Sequence, residues 1–179
     1  MEGSFTLPRE GSTSDPLRIA VLISGGGSGL ASILSYESLG PRFFHTVLVL
    51  ADSDEAGGLD HARKAGIDSI GIPLPRIANK KEQRLKHEDL VHEQLEKYNT
   101  ELIALAGYMR IFTPVFVAKW KGRLINIHPS LLPKFRGKDA IKKTLESKIK
   151  TSGCTVHFVD EGIDTGKIID QEKVLVSND

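Results

Sequence analysis

From residue 17 onward, apolar runs alternate with stretches of helical spacing. Arg18-Ile19-Ala20-Val21-Leu22-Ile23 is a continuous apolar run, closed by Ser24-Gly25-Gly26-Gly27-Ser28-Gly29. Leu30, Ile33 and Leu34 then recur at helical spacing over 30–37. The pattern predicts a second strand over 46–50, a short helix over 58–64, and a third strand over 69–72 stopped by Pro73 and Pro75. A long helix is predicted over 80–98, apolar at Leu85, Leu90, Val91 and Leu95, and a fourth strand over 102–106. The run 124–127 reads as the end of a buried strand. Residues 139–148 predict a helix with Ile141 and Leu145 inward and its lysines outward, and 154–159 and 168–176 complete the strands. Early strands that are continuously apolar rather than alternating, with helices between them, predict one α/β domain. Its sheet is mostly parallel and twisted, covered by helices on both faces, with right-handed crossovers.

Bulk numbers narrow the function classes. A chain of 179 residues is long enough for one domain with a substantial core. The formal net charge of +1 supplies no global basic field for nucleic acid, and the lysines of 142–150 read as a solvated helix face. One cysteine, Cys154, excludes an internal disulfide framework and a cysteine-rich zinc site. Its strand-like surroundings predict a small core residue, which fits a reducing compartment. No apolar run approaches the roughly 20 residues of a membrane span. Residues 1–16 are polar and small and lack an apolar signal core, so they are expected to be a disordered tail ahead of a domain over 17–179. Their one arginine against Glu2, Glu10 and Asp15 argues against an organelle transit peptide. The expected setting is cytoplasmic, with organelle targeting left open, and the expected partners are small molecules, with no nucleic acid or membrane. The chain is expected to be a monomer or homodimer.

The candidate chemistry lies at strand ends. The glycine-rich turn joins a strand to a helix, where backbone N–H groups and the helix dipole suit a phosphate. A plain tight turn remains the alternative. It is no Walker loop, because no Lys-Ser/Thr follows the glycines, and Leu30 and Ser32 spoil a dinucleotide fingerprint. Downstream, Asn126-Ile127-His128-Pro129-Ser130-Leu131-Leu132-Pro133 puts His128 at the C-terminal mouth of a strand, where open α/β sheets place their sites. Asn126 faces the same way by strand alternation. A buried amide without partners costs roughly 1–3 kcal/mol, so a substrate oxygen is a reasonable partner for it. Amide, imidazole and carboxylate together suffice to move an acyl unit onto an amine without a metal. Asp160, Glu161 and Asp164 are all candidates for the carboxylate on loop grounds. His61, His87 and His92 are expected to be exposed on helices, His45 lies near a strand start, and His157 is divided between site and core. The histidines offer no HExxH and no metal triad.

With those residues in view, the chain resembles the phosphoribosylglycinamide formyltransferase family, folate-dependent enzymes of de novo purine synthesis. The likeness runs from Arg18 to Val176. It rests on the run 21–28, on Leu105-Ala106-Gly107-Tyr108-Met109-Arg110-Ile111, on 124–133, and on 153–159 leading to Asp164-Thr165-Gly166. The resemblance implies a Rossmann-like formyltransferase fold, with 10-formyltetrahydrofolate as co-substrate and no metal. It implies Asn126, His128 and Asp164 as the catalytic trio; His157, from its strand position, is a candidate for the shell behind them. It further implies that Gly27, Ser28 and Gly29 hold the phosphate of glycinamide ribonucleotide. Met109, Arg110, Ile111 and Phe112, with Asn126, would line the folate site, and Arg84 would stand near the folate's carboxylate tail. Three departures stand out. Gly29 occupies a position where the family often has asparagine. Gly137-Lys138-Asp139-Ala140 lacks a histidine common there. The chain ends at Asp179, so the family's C-terminal helical segment is expected to be lacking. Competing expectations are a formyltetrahydrofolate hydrolase, whose relatives carry an N-terminal regulatory domain, and a methionyl-tRNA formyltransferase, whose relatives carry an RNA-binding domain. A folate- or phosphate-binding domain without turnover is a further alternative.

Overall fold

A computed structural model describes residues 4–176. Strands β1 (Leu17–Ile23), β2 (Phe44–Ala51), β3 (Ser69–Gly71), β4 (Leu102–Leu105), β5 (Leu124–His128), β6 (Thr151–Phe158) and β7 (Ile168–Leu175) form one sheet in the order β3-β2-β1-β4-β5-β6-β7. The first four pairings are parallel, and β5–β6 and β6–β7 are antiparallel. Helices α1 (Ser28–Ser38), α2 (Leu59–Lys64), α3 (Lys80–Lys97), α4 (Pro114–Lys119) and α5 (Ala140–Glu146) complete the chain.

Strand alternation divides the core into two layers. Ala20 and Leu22 of β1, Leu48 and Leu50 of β2, and Ile103 and Leu105 of β4 face α3 and α4, meeting Val91, Leu95, Phe116 and Trp120. Ile19, Val21 and Ile23 face the other way, with Val49, Ala51 and Ala104, and meet Leu30 of α1 and Leu59 and Ala62 of α2. Both faces of the central strands are therefore buried, which is why these strands read as unbroken apolar runs.

Four local expectations are corrected. Sequence periodicity passed over α4, although Thr113 caps it by accepting from the Phe116 N–H at 3.3 Å and Pro114 opens it. Helix α5 is rotated from its expected setting: Ala140 and Thr144 turn inward, while Ile141 and Leu145 are 61% and 56% exposed. Two adjacent i, i+4 stripes compete there, and the smaller pair is the one buried. Cys154 is only partly buried, because β6 near the sheet margin is covered less than the centre. His87, expected on the outside of α3, is buried, and its Nε2–H donates to the Ile72 carbonyl at 2.8 Å. His61 and His92 are half-buried.

Burial lowers the pKa of His87, and this outweighs the raising effect of the Ile72 carbonyl. In the unfolded chain this imidazole keeps its ordinary pKa of about 6.5 and takes up a proton first as the pH falls. Stability present above that value is therefore lost as the pH drops below it. We expect the melting temperature to fall from about pH 7 to about pH 5. His87→Gln, which keeps a donor for Ile72, should flatten that slope in a thermal-melt series, and an unchanged slope would remove His87 as its source.

Residues 1–3 of the stretch read as a polar tail lie outside the described residues. Residues 4–16 form no helix or strand, yet three contacts tie them to the body. Thr6 N–H donates to the Lys121 carbonyl at 3.1 Å, the Phe5 ring meets Phe158 edge-on at 5.1 Å, and Arg9 pairs with Glu101 at 2.6 Å. At the far margin, every residue of the edge strand β7 is exposed. Among the described residues, no helix is long and apolar enough to cross a membrane.

Candidate active site

Strands run from β1 outward to β2 and β3, and the chain then returns to the other side of β1 as β4. Strand order reverses between β1 and β4, and such a point opens a crevice at the strands' C-terminal ends. The glycine-rich turn after β1, the 107–113 loop after β4 and the end of β5 all lie at that edge. In the sheet register Leu105 pairs with Asn126 and Asn126 with His157. One row across the sheet thus places the amide beside the second imidazole, with His128 two residues on along the same face.

The three residues of the expected trio meet. His128 is buried, and its Nδ1 lies 3.3 Å from Asp164 Oδ2. Its Nε2 lies 2.9 Å from the Phe135 carbonyl oxygen, which can only accept. With Asp164 ionised, both ring nitrogens face acceptors, so the network is satisfied when both carry hydrogen. The Asp164 carboxylate also accepts from Gly137 N–H at 2.7 Å and from the Asn126 amide at 3.4 Å. His157 Nδ1–H donates to the Phe158 carbonyl at 2.8 Å, and its Nε2 meets the Asn126 amide at 3.1 Å. His157 Nε2 is also 3.5 Å from Asp164, so this buried histidine contacts both Asn126 and Asp164. Of the other candidate carboxylates, Asp160 closes its own loop by accepting from Gly162 N–H and Thr165 Oγ1, and Glu161 is exposed. Among the described residues, no group of His, Cys, Asp and Glu converges as a metal site.

The glycine turn sits at the N-terminus of α1. Gly27 is its N-cap at φ 71°, and a Cβ there would lie 2.8 Å from Gly58 Cα at the start of α2. The first N–H groups of α1, including those of Ser28 and Gly29, are without intrahelical partners by helix geometry and point outward at the crevice. A Cβ on Gly29 would come within 3.3 Å of Ala106 Cβ, so the absence of a side chain here keeps the turn close to β4.

The 107–113 loop is clamped at nearly every second residue. Ser24 N–H donates to the Gly107 carbonyl at 3.2 Å, and Met109 N–H donates to Ser24 Oγ at 2.8 Å. Arg110 pairs with Asp52 at the end of β2 at 2.7 Å, and Arg84 Nη2 donates to the Ile111 carbonyl. Thr113 N–H donates to Glu88 at 2.6 Å. Met109 and Ile111 consequently stand out from a fixed backbone, 63% and 61% exposed. Phe112 turns the other way. It is buried between Tyr108 and Phe116, with ring centroids at 5.3 and 4.1 Å, so it supports the loop from beneath rather than facing the crevice. Burial and the nearby Asp52 hold the Tyr108 phenol well above its ordinary range.

Sequence reasoning missed the groups that lock this arrangement: the carbonyl of Phe135, the N–H of Gly137, and Asp52 and Glu88. The two backbone groups carry no residue-type signal, and the two carboxylates act across long sequence separations.

A strand-end imidazole–carboxylate pair with an adjacent amide thus lies on the same edge of an α/β sheet as the N-terminus of α1. The chain belongs to the formyl transferase family, whose model matches residues 17–179. It is 38% identical over 161 residues to the phosphoribosylglycinamide formyltransferase of Escherichia coli, covering 89% of this chain and 74% of that protein. It is 48% identical over 161 residues to the trifunctional purine biosynthetic protein adenosine-3 of Chironomus tentans, covering 89% of this chain and 12% of that protein. The chain therefore spans about an eighth of the length of that relative. Among solved structures, phosphoribosylglycinamide formyltransferase from Brucella melitensis superposes with TM-score 0.80 at 39% identity, over 90% of this chain and 81% of that one.

Proposed function

We propose that this protein transfers the formyl group of 10-formyltetrahydrofolate to the amine of 5-phosphoribosylglycinamide, in the cytoplasm, as a step of purine biosynthesis. The observation that carries this reading is the convergence of His128 and Asn126 on Asp164, at 3.3 and 3.4 Å, on the sheet edge beside its switch point. The family membership and the purine-pathway relatives support it.

In this reading the N–H groups at the start of α1, from Gly27 to Gly29, receive the ribonucleotide's phosphate. Met109 and Ile111 form apolar walls for the pterin, and Arg110 and Phe112 hold the backbone that presents them. Arg84 Nη1, which has no recorded partner among the described residues, is free for the folate's carboxylate tail.

The amine attacks the formyl carbon, and negative charge gathers on the formyl oxygen. His128, with hydrogen on both ring nitrogens, and the Asn126 amide stabilise that charge. The amide's long 3.4 Å contact to Asp164 is the one it gives up to the oxyanion. The attacking amine must lose a proton and the departing folate nitrogen must gain one. A water held by the Asp164 carboxylate carries that proton between them, so His128 remains charged throughout.

The test is absorbance-monitored consumption of 10-formyltetrahydrofolate with and without glycinamide ribonucleotide. Consumption that depends on the ribonucleotide is expected. Equal consumption in its absence would make water the acceptor and replace transfer with hydrolysis.

A further inference from the structure

Glu88 is a buried carboxylate on α3 that the chemistry above does not use. It is 6% exposed, yet two elements converge on it. Thr113 N–H donates to its Oε1 at 2.6 Å, and the Thr113 hydroxyl donates to its Oε2. Arg84, one helical turn earlier, lies 3.5 Å from the same Oε1, while its Nη2 donates to the Ile111 carbonyl. The far end of the 107–113 loop is thus held at Thr113 directly and at Ile111 through Arg84.

We infer that Glu88 is a positioning residue for the folate site. It acts through Arg84 and Thr113 to hold Met109 and Ile111 where a flat ring can pack between loop and crevice.

Burial sets the strength of this arrangement. An ionised carboxylate in the interior persists only when its oxygens are satisfied, and hydrogen bonds to it are among the stronger ones. Both oxygens of Glu88 are used on the loop side. The amide of a glutamine there would put a donor where Thr113 N–H or the Thr113 hydroxyl now donates, and it would remove the charge that orients Arg84. The near end of the loop would be unaffected, because Ser24 holds Gly107 and Met109 independently. Loosening would therefore concentrate at Ile111 and Thr113. The His128–Asp164–Asn126 cluster lies on β5 and the 160–166 loop and shares no hydrogen bond with this network. Chemistry on bound substrates should then survive, while folate binding weakens.

The inference rests on the folate reading, and its test separates the two. Equilibrium binding of 10-formyltetrahydrofolate would be measured on the wild-type chain, Glu88→Gln and Glu88→Asp, alongside steady-state kinetics. The expected result is a rise of about tenfold in Kd and KM for the folate in Glu88→Gln, equivalent to about 1.4 kcal/mol. The kcat at saturation and the KM for the ribonucleotide should stay within about twofold. Glu88→Asp, which keeps the charge, should recover most of the affinity. Thr113→Val, which removes the hydroxyl that donates to Glu88 Oε2, should add little to Glu88→Gln, because the two side chains act as one unit. If Glu88→Gln alone folds poorly, the Thr113→Val single variant must show the rise in folate KM at unchanged kcat, and its absence overturns the positioning role. Wild-type binding with unchanged folate affinity in Glu88→Gln overturns the positioning role, whatever happens to the melting temperature. A fall in kcat equal to the fall in kcat/KM overturns it as well. Failure of the wild type itself to bind the folate overturns the folate reading and this inference with it.

Discussion

Asp164→Asn is expected to lower kcat by about 10²–10⁴-fold, the range associated with loss of a positioned acid–base group. The substitution is conservative for the fold. Asp164 adopts φ 52°, a left-handed conformation that asparagine tolerates better than most residues. The asparagine oxygen can still accept from Gly137 N–H, now at 2.7 Å. What is lost is the charge facing His128 Nδ1 at 3.3 Å. Without it, a doubly protonated imidazole has no counter-charge, and the Asn126 amide loses its second acceptor. The KM for either substrate should move much less than kcat, because the carboxylate acts on the reacting atoms rather than on the phosphate or the pterin. Steady-state kinetics with a thermal melt decide the matter. A variant that retained near-full turnover would remove Asp164 from the chemistry, and one that lost turnover only by unfolding would show it in the melt.

The second large effect is expected at the phosphate turn. Gly27→Ala places a Cβ 2.8 Å from Gly58 Cα at φ 71°. The left-handed conformation alone costs about 1–2 kcal/mol for a residue with a Cβ, and the new Cβ meets the Gly58 backbone, a contact that no rotamer relieves. The start of α1 must move away from α2, carrying the Ser28 and Gly29 N–H groups with it. The KM for the ribonucleotide should rise by at least about tenfold, equivalent to about 1.4 kcal/mol. The Kd for the formyl folate should stay near the wild-type value. A parallel rise in both constants would mean that the turn serves the whole crevice rather than the phosphate.

The sheet was legible because its central strands are buried on both faces. Residues 18–23, 46–50 and 102–106 could be read directly as strands. The candidate site was legible where its residues fall on neighbouring positions: Asn126 and His128 share a face by strand alternation, and the glycines mark a strand-to-helix turn. Residue type alone left Asp160, Glu161 and Asp164 open; the family resemblance pointed to Asp164, and the path of the 160–166 loop brings that residue to His128. Helix α4 carried a local signal in Thr113-Pro114 that its six-residue length hid from periodicity. The rotation of α5 and the burial of His87 lay beyond local pattern. Adjacent helical stripes differ by one residue, and tertiary contacts choose between them. The roles of Arg84 and Arg110 were equally non-local. Each guanidinium is committed to an element far away in sequence, Ile111 for one and Asp52 for the other.

The most direct test follows the formyl carbon itself. With an isotope label in the formyl group of 10-formyltetrahydrofolate, the wild-type chain should deliver the label to the amine of glycinamide ribonucleotide. His128→Ala should slow that delivery by at least about 10²-fold. Label released only as formate, or delivered as fast by His128→Ala as by the wild type, would contradict formyl transfer at the His128–Asp164–Asn126 site.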